Sequence, residues 1–202
     1  LLDFHDGVSC DEMPVAFPQA YPDGEQGCRS NLSEEVKELA KAFGSEVIWW
    51  RGGRSLNTSM ISGSVAANGG VPLVVEAGGG DRIDETVDQA ADCVLNVMKY
   101  LGMIEGDPVL PERQIMVDNY MVYRSITGGY YIQEPEVRIG AKVEKGQLLG
   151  KVVDPLTSEV REVTRSPLNG IIVSRRISLP INPGGYIAHI ADTDSIIWER
   201  EN

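Results

Sequence analysis

The stretch Val71-Pro72-Leu73-Val74-Val75-Glu76-Ala77-Gly78-Gly79-Gly80 decides the fold class of this chain. Its apolar run is continuous, which is typical of a strand whose two faces are both covered. Helical spacing precedes it at residues 60–68 and follows it at residues 84–101, and another apolar run occupies residues 47–50. Strands that alternate with helices predict an α/β layer with a parallel component.

The segments on either side of this core complete the α/β part. Residues 8–31 are rich in Pro, Gly and Asp, so we expect a long surface loop there. The helix that follows has Ser30 or Ser33 as a candidate N-cap and Gly44 as its end. The helix at 84–101 carries its apolar residues on one face, namely Val87, Ala90, Ala91, Val94, Leu95, Met98 and Leu101.

After residue 108 the helical spacing disappears and an internal repeat takes its place. Val143-x-x-Gly146-x-x-Leu149-x-x-Val152 has the same spacing as Ile181-x-x-Gly184-x-x-Ile187-x-x-Ile190. Each copy indicates a strand, a tight glycine turn and a second strand, and two copies predict an all-β barrel-sandwich. We place the boundary at 105–114, with an α/β domain at 1–106 and a β domain at 115–202.

Composition excludes several classes of function. The 202 residues carry a formal net charge of −12, so the basic surface that nucleic-acid binding needs is missing. Cys10, Cys28 and Cys93 are odd in number and form no Cys-x-x-Cys pair, which favours buried thiols in a reducing compartment. The sequence contains no signal peptide and no apolar run of membrane-spanning length. We therefore expect a cytoplasmic protein without nucleic-acid or membrane partners.

Two residues at predicted strand ends are candidates for chemistry. His5 ends an apolar run between Asp3 and Asp6, as a metal ligand at the mouth of a strand does, and a nearby carboxylate can hold its second ring nitrogen. Glu76 also ends a strand, and ligands of α/β sheets bind outside the carboxyl ends of strands. A carboxylate in a partly dry cleft is suited to activate water as a general base. An ordinary polar histidine and a strand-end glutamate in a salt bridge or helix cap are the alternatives.

Three further residues have side chains that can bind a ligand. Arg51 and Arg54 flank two glycines, and their guanidinium groups are suited to a substrate carboxylate, with a solvated loop as the alternative. His189 takes the place in the second repeat that Lys151 takes in the first, so we expect it to face solvent and exclude it as a ligand. The glycine run at 78–80 lacks the Lys-Ser/Thr of a phosphate-binding loop.

Four kinds of segment carry a likeness to a known family. They are the Asp-x-His strand end at 3–5, the run Gly-Val-Pro-Leu-Val-Val-Glu-Ala-Gly-Gly-Gly at 70–80, the helix end at 94–103, and the β segments at 140–150 and 166–172. In this order they resemble the succinylglutamate desuccinylase/aspartoacylase family. Its members are zinc-dependent amidohydrolases with a carboxypeptidase-like α/β fold of mixed or parallel strands, followed by a lipoyl-like β domain.

The resemblance implies a role for each candidate residue. His5 takes the place of the third ligand of a single zinc ion, and Glu76 that of the glutamate that activates or protonates water at the metal. The reaction implied is attack of water on the amide carbonyl of a small N-acyl amino acid or related N-acyl amine. Zinc supplies the Lewis acid in that family.

The chain also departs from the family pattern. The His-x-x-Glu segment that carries the first two ligands is absent from the sequence, and Phe4 and Asp6 stand where leucine and a small hydroxyl residue are usual. We therefore expect the remaining ligands upstream of residue 1, on a longer polypeptide or a companion chain. A non-catalytic fragment or paralogue used for binding or assembly is the alternative, and exposed sheet edges would permit a homo-oligomer. The turn Leu168-Asn169-Gly170 has no lysine to modify, which argues against a swinging-arm carrier.

Overall fold

A computed structural model describes residues 1–6, 10–19, 21, 27–52, 57–79 and 85–201. Its helices are α1 (Leu32–Phe43), α2 (Ile61–Ala67) and α3 (Glu85–Tyr100). Its first six strands are β1 (Leu2–His5), β2 (Cys10–Glu12), β3 (Val15–Phe17), β4 (Val47–Trp49), β5 (Leu73–Glu76) and β6 (Arg113–Val117). The others are β7 (Tyr120–Arg124), β8 (Gly129–Gln133), β9 (Lys142–Val143), β10 (Leu148–Val153), β11 (Val160–Arg165), β12 (Gly170–Arg176), β13 (Pro180–Ile181), β14 (Tyr186–Asp192) and β15 (Ile196–Glu201). No helix among the described residues is long and apolar enough to cross a membrane.

The α/β part is built on a six-stranded mixed sheet in the order β1-β5-β3-β4-β6-β15. β1 runs parallel to β5, and β3, β4 and β6 run parallel to one another, whereas β3 is antiparallel to β5 and β15 is antiparallel to β6. The predicted parallel component is confirmed. Because β3 runs antiparallel to β5, the carboxyl ends of β1 and β5 lie at one end of the strands of the sheet. The carboxyl ends of β3 and β4 lie at the opposite end.

Helices α1 and α3 cover one face of this sheet. Phe43, Ile48, Leu73 and Met116 are fully buried in the core that they share. Gly44 ends α1 in the left-handed region with φ 91°, as predicted. The predicted N-cap is wrong, because Asn31 occupies that position and the Ser33 hydroxyl accepts a hydrogen bond from the Tyr21 amide, 2.8 Å away.

The face that α3 buries is not the apolar face seen in the sequence. Its buried residues are Thr86, Cys93, Asn96 and Val97, and the predicted apolar face is exposed or half-buried. Asn96 explains the difference: its side-chain amide donates to the Val109 carbonyl at 2.8 Å, and its carbonyl oxygen accepts from the Val109 amide at 2.7 Å. A buried, fully bonded polar residue thus replaces an apolar contact, and hydrophobic spacing alone could not identify that face.

The predicted surface loop at residues 8–31 is also wrong in part. β3 lies in the middle of the six-stranded sheet, with Val15 and Ala16 fully buried, and β2 pairs with β12. Strands of three residues are too short to show an alternating pattern, which is why the sequence does not reveal them. Residues 7–9, 20 and 22–26 of this segment lie outside the described residues.

The internal repeat is confirmed in the all-β part of the chain, which comprises β7 to β14. Gly146 and Gly184 form the turns β9–β10 and β13–β14, with φ of 88° and 80°. The six apolar residues of the two copies are all buried in one core shared by two sheets. The sheets have the orders β11-β10-β8-β13 and β2-β12-β14-β7, and β9 pairs with β12. Each copy therefore adds its short strand to the sheet of the other copy, and the barrel-sandwich class stays a prediction.

The bounds predicted for the β domain, 115–202, differ from those of the all-β part. β6 and β15 belong to the six-stranded sheet, so the strands that depart from it run from residue 120 to 192. A second core, with Val15, Val47, Ile115 and Val173, joins the two parts. The amide of Asp118 donates to the carbonyl of Ser195 at 3.2 Å. The segment that follows β6 and the segment that precedes β15 therefore leave the six-stranded sheet side by side. Strands of either sheet are equally rich in β-branched residues, which hides this boundary.

The three buried cysteines lead to a test of the packing around α3. Burial raises the pKa of the Cys93 thiol to about 12, so at pH 8 only about one in ten thousand molecules carries the reactive thiolate. We expect Cys93 to resist iodoacetamide at pH 8 in the folded protein and to react fully in denaturant, as measured by peptide mass spectrometry. Rapid alkylation without denaturant would contradict its burial against α1.

Candidate active site

The structure brings His5 and Glu76 together at the end of the six-stranded sheet where β1 and β5 terminate. In the parallel ladder of β1 and β5, His5 pairs with Glu76 and Asp3 pairs with Val74. Because side chains alternate between the faces of a strand, all four of these residues share one face. The amide of Ala77 donates to the His5 carbonyl at 3.1 Å and fixes the ends of the two strands against each other. The expected position of both residues at the carboxyl ends of strands is confirmed, and the roles of the two residues stay predictions.

The imidazole of His5 has a carboxylate beside it on the same strand. Its Nε2 atom lies 3.5 Å from Oδ1 of Asp3, and the side chains of His5 and Asp3 are 48% and 19% exposed. A carboxylate next to the distal nitrogen orients the ring and leaves the other nitrogen, Nδ1, for a ligand. The imidazole ring of His5 is therefore accessible to solvent, while Asp3 on the same strand fixes its orientation.

Glu76 lies where the apolar face meets the open end of the sheet. It pairs with Val15 across the antiparallel β3–β5 ladder, and both Val15 and Val74 are buried in the second core. The side chain of Glu76 is half-buried. A carboxylate with an apolar wall on one side and His5 on the other is suited to take a proton from water or return one.

The glycines after Glu76 bring the all-β part close to this end of the sheet. Gly78 turns the chain with φ 78°. A Cβ atom at Gly79 would lie 2.8 Å from the Cys10 carbonyl oxygen and 3.6 Å from Cδ1 of Ile177. Glycine is thus required for packing against β2 and the segment after β12. Sequence reasoning missed the approach of Ile177 to Gly79, for which the glycine run was the signal. Gly80 lies outside the described residues.

An open cleft of about 610 Å³ begins at His5 and runs between β1 and α3. Its lining residues are Phe4, His5, Asp6, Ala77, Gly78, Thr86, Val87 and Ala90. This volume falls within the range of small-molecule sites. Glu76 does not line it, because the Glu76 side chain shares the face of Val15 and Val74, whereas α3 packs on the opposite face with Leu73 and Val75.

The residues present fit one corner of a zinc site. His5 and its carboxylate partner have the arrangement common for a histidine ligand, and zinc in hydrolases takes three protein ligands. Within the part of the chain that the structure describes, no three His, Cys, Asp or Glu residues are grouped to hold a metal ion. Any further ligands must therefore come from outside these residues.

Arg51 does not lie at this site. It follows β4, whose carboxyl end is at the opposite end of the sheet from His5 and Glu76. Its amide donates to the Pro18 carbonyl at 2.9 Å, and its guanidinium group lies 5.3 Å from the ring centre of Trp49. The expected binding of a substrate carboxylate by Arg51 stays a prediction, and the direction of β4, which a sequence does not reveal, places Arg51 away from His5 and Glu76. The other candidate, Arg54, lies outside the described residues.

His189 is not solvent-facing, contrary to expectation. It is half-buried, with ring centres of Tyr120 and Tyr186 at 5.8 Å and 5.2 Å from its own. His189 and Lys151 take equivalent places in the two copies of the repeat but differ in exposure, because the two copies have different surroundings. Lys151 is exposed, whereas Tyr120 belongs to the core that joins the all-β part to the six-stranded sheet.

Comparison with known proteins identifies the fold. No protein-family model matches the chain, and no curated protein matches it. Among solved structures, it is similar to succinylglutamate desuccinylase/aspartoacylase from Rhodobacter sphaeroides, with a TM-score of 0.74 and 22% identity. It is also similar to the ectoine utilization protein EutE (DoeB) from Ruegeria pomeroyi (0.77, 23%) and an aspartoacylase family protein from Mesorhizobium loti (0.69, 18%).

These matches cover 95% of this chain but only 57%, 59% and 62% of the three structures. The chain therefore spans less than two thirds of the length of the structures that it matches. At these levels of identity the likeness shows a shared fold.

Proposed function

We propose that this chain is part of a zinc-dependent amidohydrolase that removes the acyl group from a small N-acyl amino acid or related N-acyl amine. The observation that carries the proposal is the register that pairs His5 with Glu76 beside an open cleft. The similarity in fold to structures named as deacylases supports the reaction class.

Each residue of the site has a defined part in this proposal. Zinc, when bound, polarises the amide carbonyl and lowers the pKa of water. His5 would hold the metal through one ring nitrogen, while Asp3 orients the ring from the other. Glu76 takes a proton from the attacking water and returns it to the leaving amine. The remaining ligands belong to a segment upstream of residue 1 or to a companion chain.

The cleft that begins at His5 has the size of a small-molecule site, which supports a small acylated substrate. We further propose that the strands from 120 to 192 form the barrel-sandwich β domain of this family, with Ile177 lying against Gly79. The three buried thiols support a cytoplasmic location.

A non-catalytic binding or assembly role is the second candidate. It is favoured by one observation: no three His, Cys, Asp or Glu residues of the described ranges are grouped to hold a metal ion. The two candidates differ in zinc content, since only the enzyme needs the metal.

Substitution of the two histidines in turn tests the proposal. In the polypeptide that includes any upstream segment, we expect one zinc per chain, and His5→Ala should weaken zinc binding by more than about 100-fold. His189→Ala removes the other histidine and should leave zinc unchanged. Zinc is measured by elemental mass spectrometry after dialysis against a competing chelator. Equal zinc retention by both variants would exclude His5 as a ligand.

A further inference from the structure

The four-stranded sheet β11-β10-β8-β13 has an outer face that the core does not use. Its inner face packs on the core that contains Tyr131, Leu149 and Val152, and the other sheet of the all-β part lies between this core and the six-stranded sheet. Residues at the alternate positions therefore point away from the rest of the protein. The ladders align them in two rows across β8, β10 and β11, namely Tyr130, Val153 and Val160 in one row and Ile132, Lys151 and Val163 in the next.

Two turns at one end of these strands present apolar side chains to solvent. Ile126 is 80% exposed in the turn between β7 and β8, and Leu156 is 93% exposed in the turn between β10 and β11. Glu162 braces the first turn, because its Oε2 atom accepts a hydrogen bond from the Ile126 amide at 3.1 Å. Asp154 braces the second turn, because its Oδ1 atom accepts a hydrogen bond from the Leu156 amide at 2.7 Å.

Arg161 fastens the two turns to each other. Its guanidinium group donates to the Gly128 carbonyl at 3.0 Å in the first turn and forms an ion pair with Asp154 in the second. The hydrogen bonds fix the shape of both turns and hold Ile126 and Leu156 out in solvent. A rigid apolar projection of this kind loses little conformational entropy when a partner covers it.

From these features we propose that the outer face of the four-stranded sheet and its two turns form a docking surface for a second copy of the chain. We call this region the outer-sheet surface. Its exposed apolar area amounts to roughly 400 Å², which is as large as the largest apolar patches on monomeric proteins, and such patches are often functional. Its apolar residues, all between 40% and 93% exposed, are Ile126, Tyr130, Ile132, Leu156, Val160 and Val163.

Charges at the two ends of the outer-sheet surface favour a second copy as the occupant. Glu159 lies in the turn with Leu156, whereas Lys151 and Arg165 lie toward the opposite end of the strands, and all three charged residues are exposed. A two-fold axis that makes the strands of the two copies antiparallel brings Glu159 of one copy toward Lys151 and Arg165 of the other. The surface is therefore complementary to itself, although each copy has a net charge of −12.

Pairing of two copies through the edge of β11 is a poorer arrangement. Arg161, Val163 and Arg165 are exposed at alternate positions of this edge strand. An antiparallel pair centred on Val163 would place Arg161 of each copy opposite Arg165 of the other, and like charges at facing positions destabilise such a pair. The irregular register between β10 and β11 also protects this edge. Contact through the face of the sheet avoids both obstacles.

Docking through the outer-sheet surface leaves the candidate active site open. The sheet β2-β12-β14-β7 separates this surface from the six-stranded sheet that carries His5. With its charged ends the surface would bury roughly 500–600 Å² per copy, which is close to the smallest total for a specific interface. We therefore expect a dissociation constant on the order of 10 μM. The inference does not depend on zinc or on the proposed hydrolase.

Sedimentation velocity of the complete polypeptide from about 1 to 100 μM tests the proposal. We expect a monomer–dimer equilibrium, and both Val163→Glu and Leu156→Glu should raise its dissociation constant at least about 10-fold, because each places a carboxylate against an apolar partner. Val109→Glu makes the same change at a 75% exposed valine of the α/β part and should leave the constant unchanged. If Val163→Glu fails to fold, Leu156→Glu still decides, since Leu156 lies in a turn outside the ladder of β10 and β11.

Two results would overturn the docking surface. They are a monomer at every concentration up to about 100 μM, and a dimer whose dissociation constant Leu156→Glu changes no more than Val109→Glu does. The proposed function fails separately, because zinc content is measured on the same samples. A dimer that binds no zinc would retain the docking surface and exclude the zinc enzyme, and a monomer that binds zinc would do the reverse.

Discussion

Glu76→Gln in the complete polypeptide is expected to lower the rate of amide hydrolysis by roughly 10²- to 10⁴-fold, while zinc content stays at one per chain. Glutamine has nearly the same shape as glutamate but cannot take the proton of the attacking water. The pairing of β5 with β1 and β3 on both sides should hold residue 76 in place in either form. The measurement is kcat/KM on a panel of N-acetyl, N-succinyl and N-formyl amino acids, with zinc determined on the same samples.

A matched substitution separates proton transfer from general charge effects. Glu144→Gln removes an exposed carboxylate of the all-β part and should leave both rate and zinc unchanged. Hydrolysis by Glu76→Gln at the rate of the Glu144→Gln control would remove Glu76 from the mechanism. Loss of zinc in Glu76→Gln would instead assign the carboxylate to the metal site.

Leu149→Ala should lower the free energy of unfolding by about 2–5 kcal/mol. Leu149 is fully buried on β10, in the core that also contains Val152, Ile172 and Ile190. Its side chain therefore lies between the two sheets of the repeat, where truncation leaves a cavity that the interleaved strands cannot close. Urea unfolding followed by tryptophan fluorescence and by circular dichroism measures the change.

Leu156→Ala is the control because it makes the same truncation at an exposed leucine of the same part. We expect a change within about 0.5 kcal/mol for it. Equal effects of the two substitutions would contradict a common core for the two copies of the repeat. A large effect of Leu149→Ala on circular dichroism alone would show that the two parts of the chain unfold separately.

Sequence reasoning worked where a contact depends on local spacing. The repeat places Leu149 and Ile187 three residues after their turn glycines, and in both copies that residue is buried in the shared core. The position of His5 and Glu76 at the ends of strands could also be expected, because both end apolar runs. Each of these inferences needs only the pleat of a strand or the turn chemistry of glycine.

Sequence reasoning failed where a contact depends on the direction of a strand or on which part of the chain packs against a helix. Arg51 follows a strand just as Glu76 does, but β3 and β4 run against β5, so the two residues lie at opposite ends of the sheet. α3 buries Asn96 because the Asn96 side-chain amide is hydrogen-bonded to the backbone of Val109. Val109 reaches Asn96 only after the chain has folded back, so the sequence does not show this partner. Long-range geometry of this kind leaves no periodic trace in a sequence.

The adjacent exits of β6 and β15 bear on the stability of the six-stranded sheet. Asp118 and Ser195 are joined by a backbone hydrogen bond, so residues 119–194 form an insertion within what would otherwise be a hairpin. The insertion covers Val15, Val47 and Ile115 of the six-stranded sheet. Removal of the insertion would expose these apolar side chains to solvent, so the six-stranded sheet depends on the insertion for its stability.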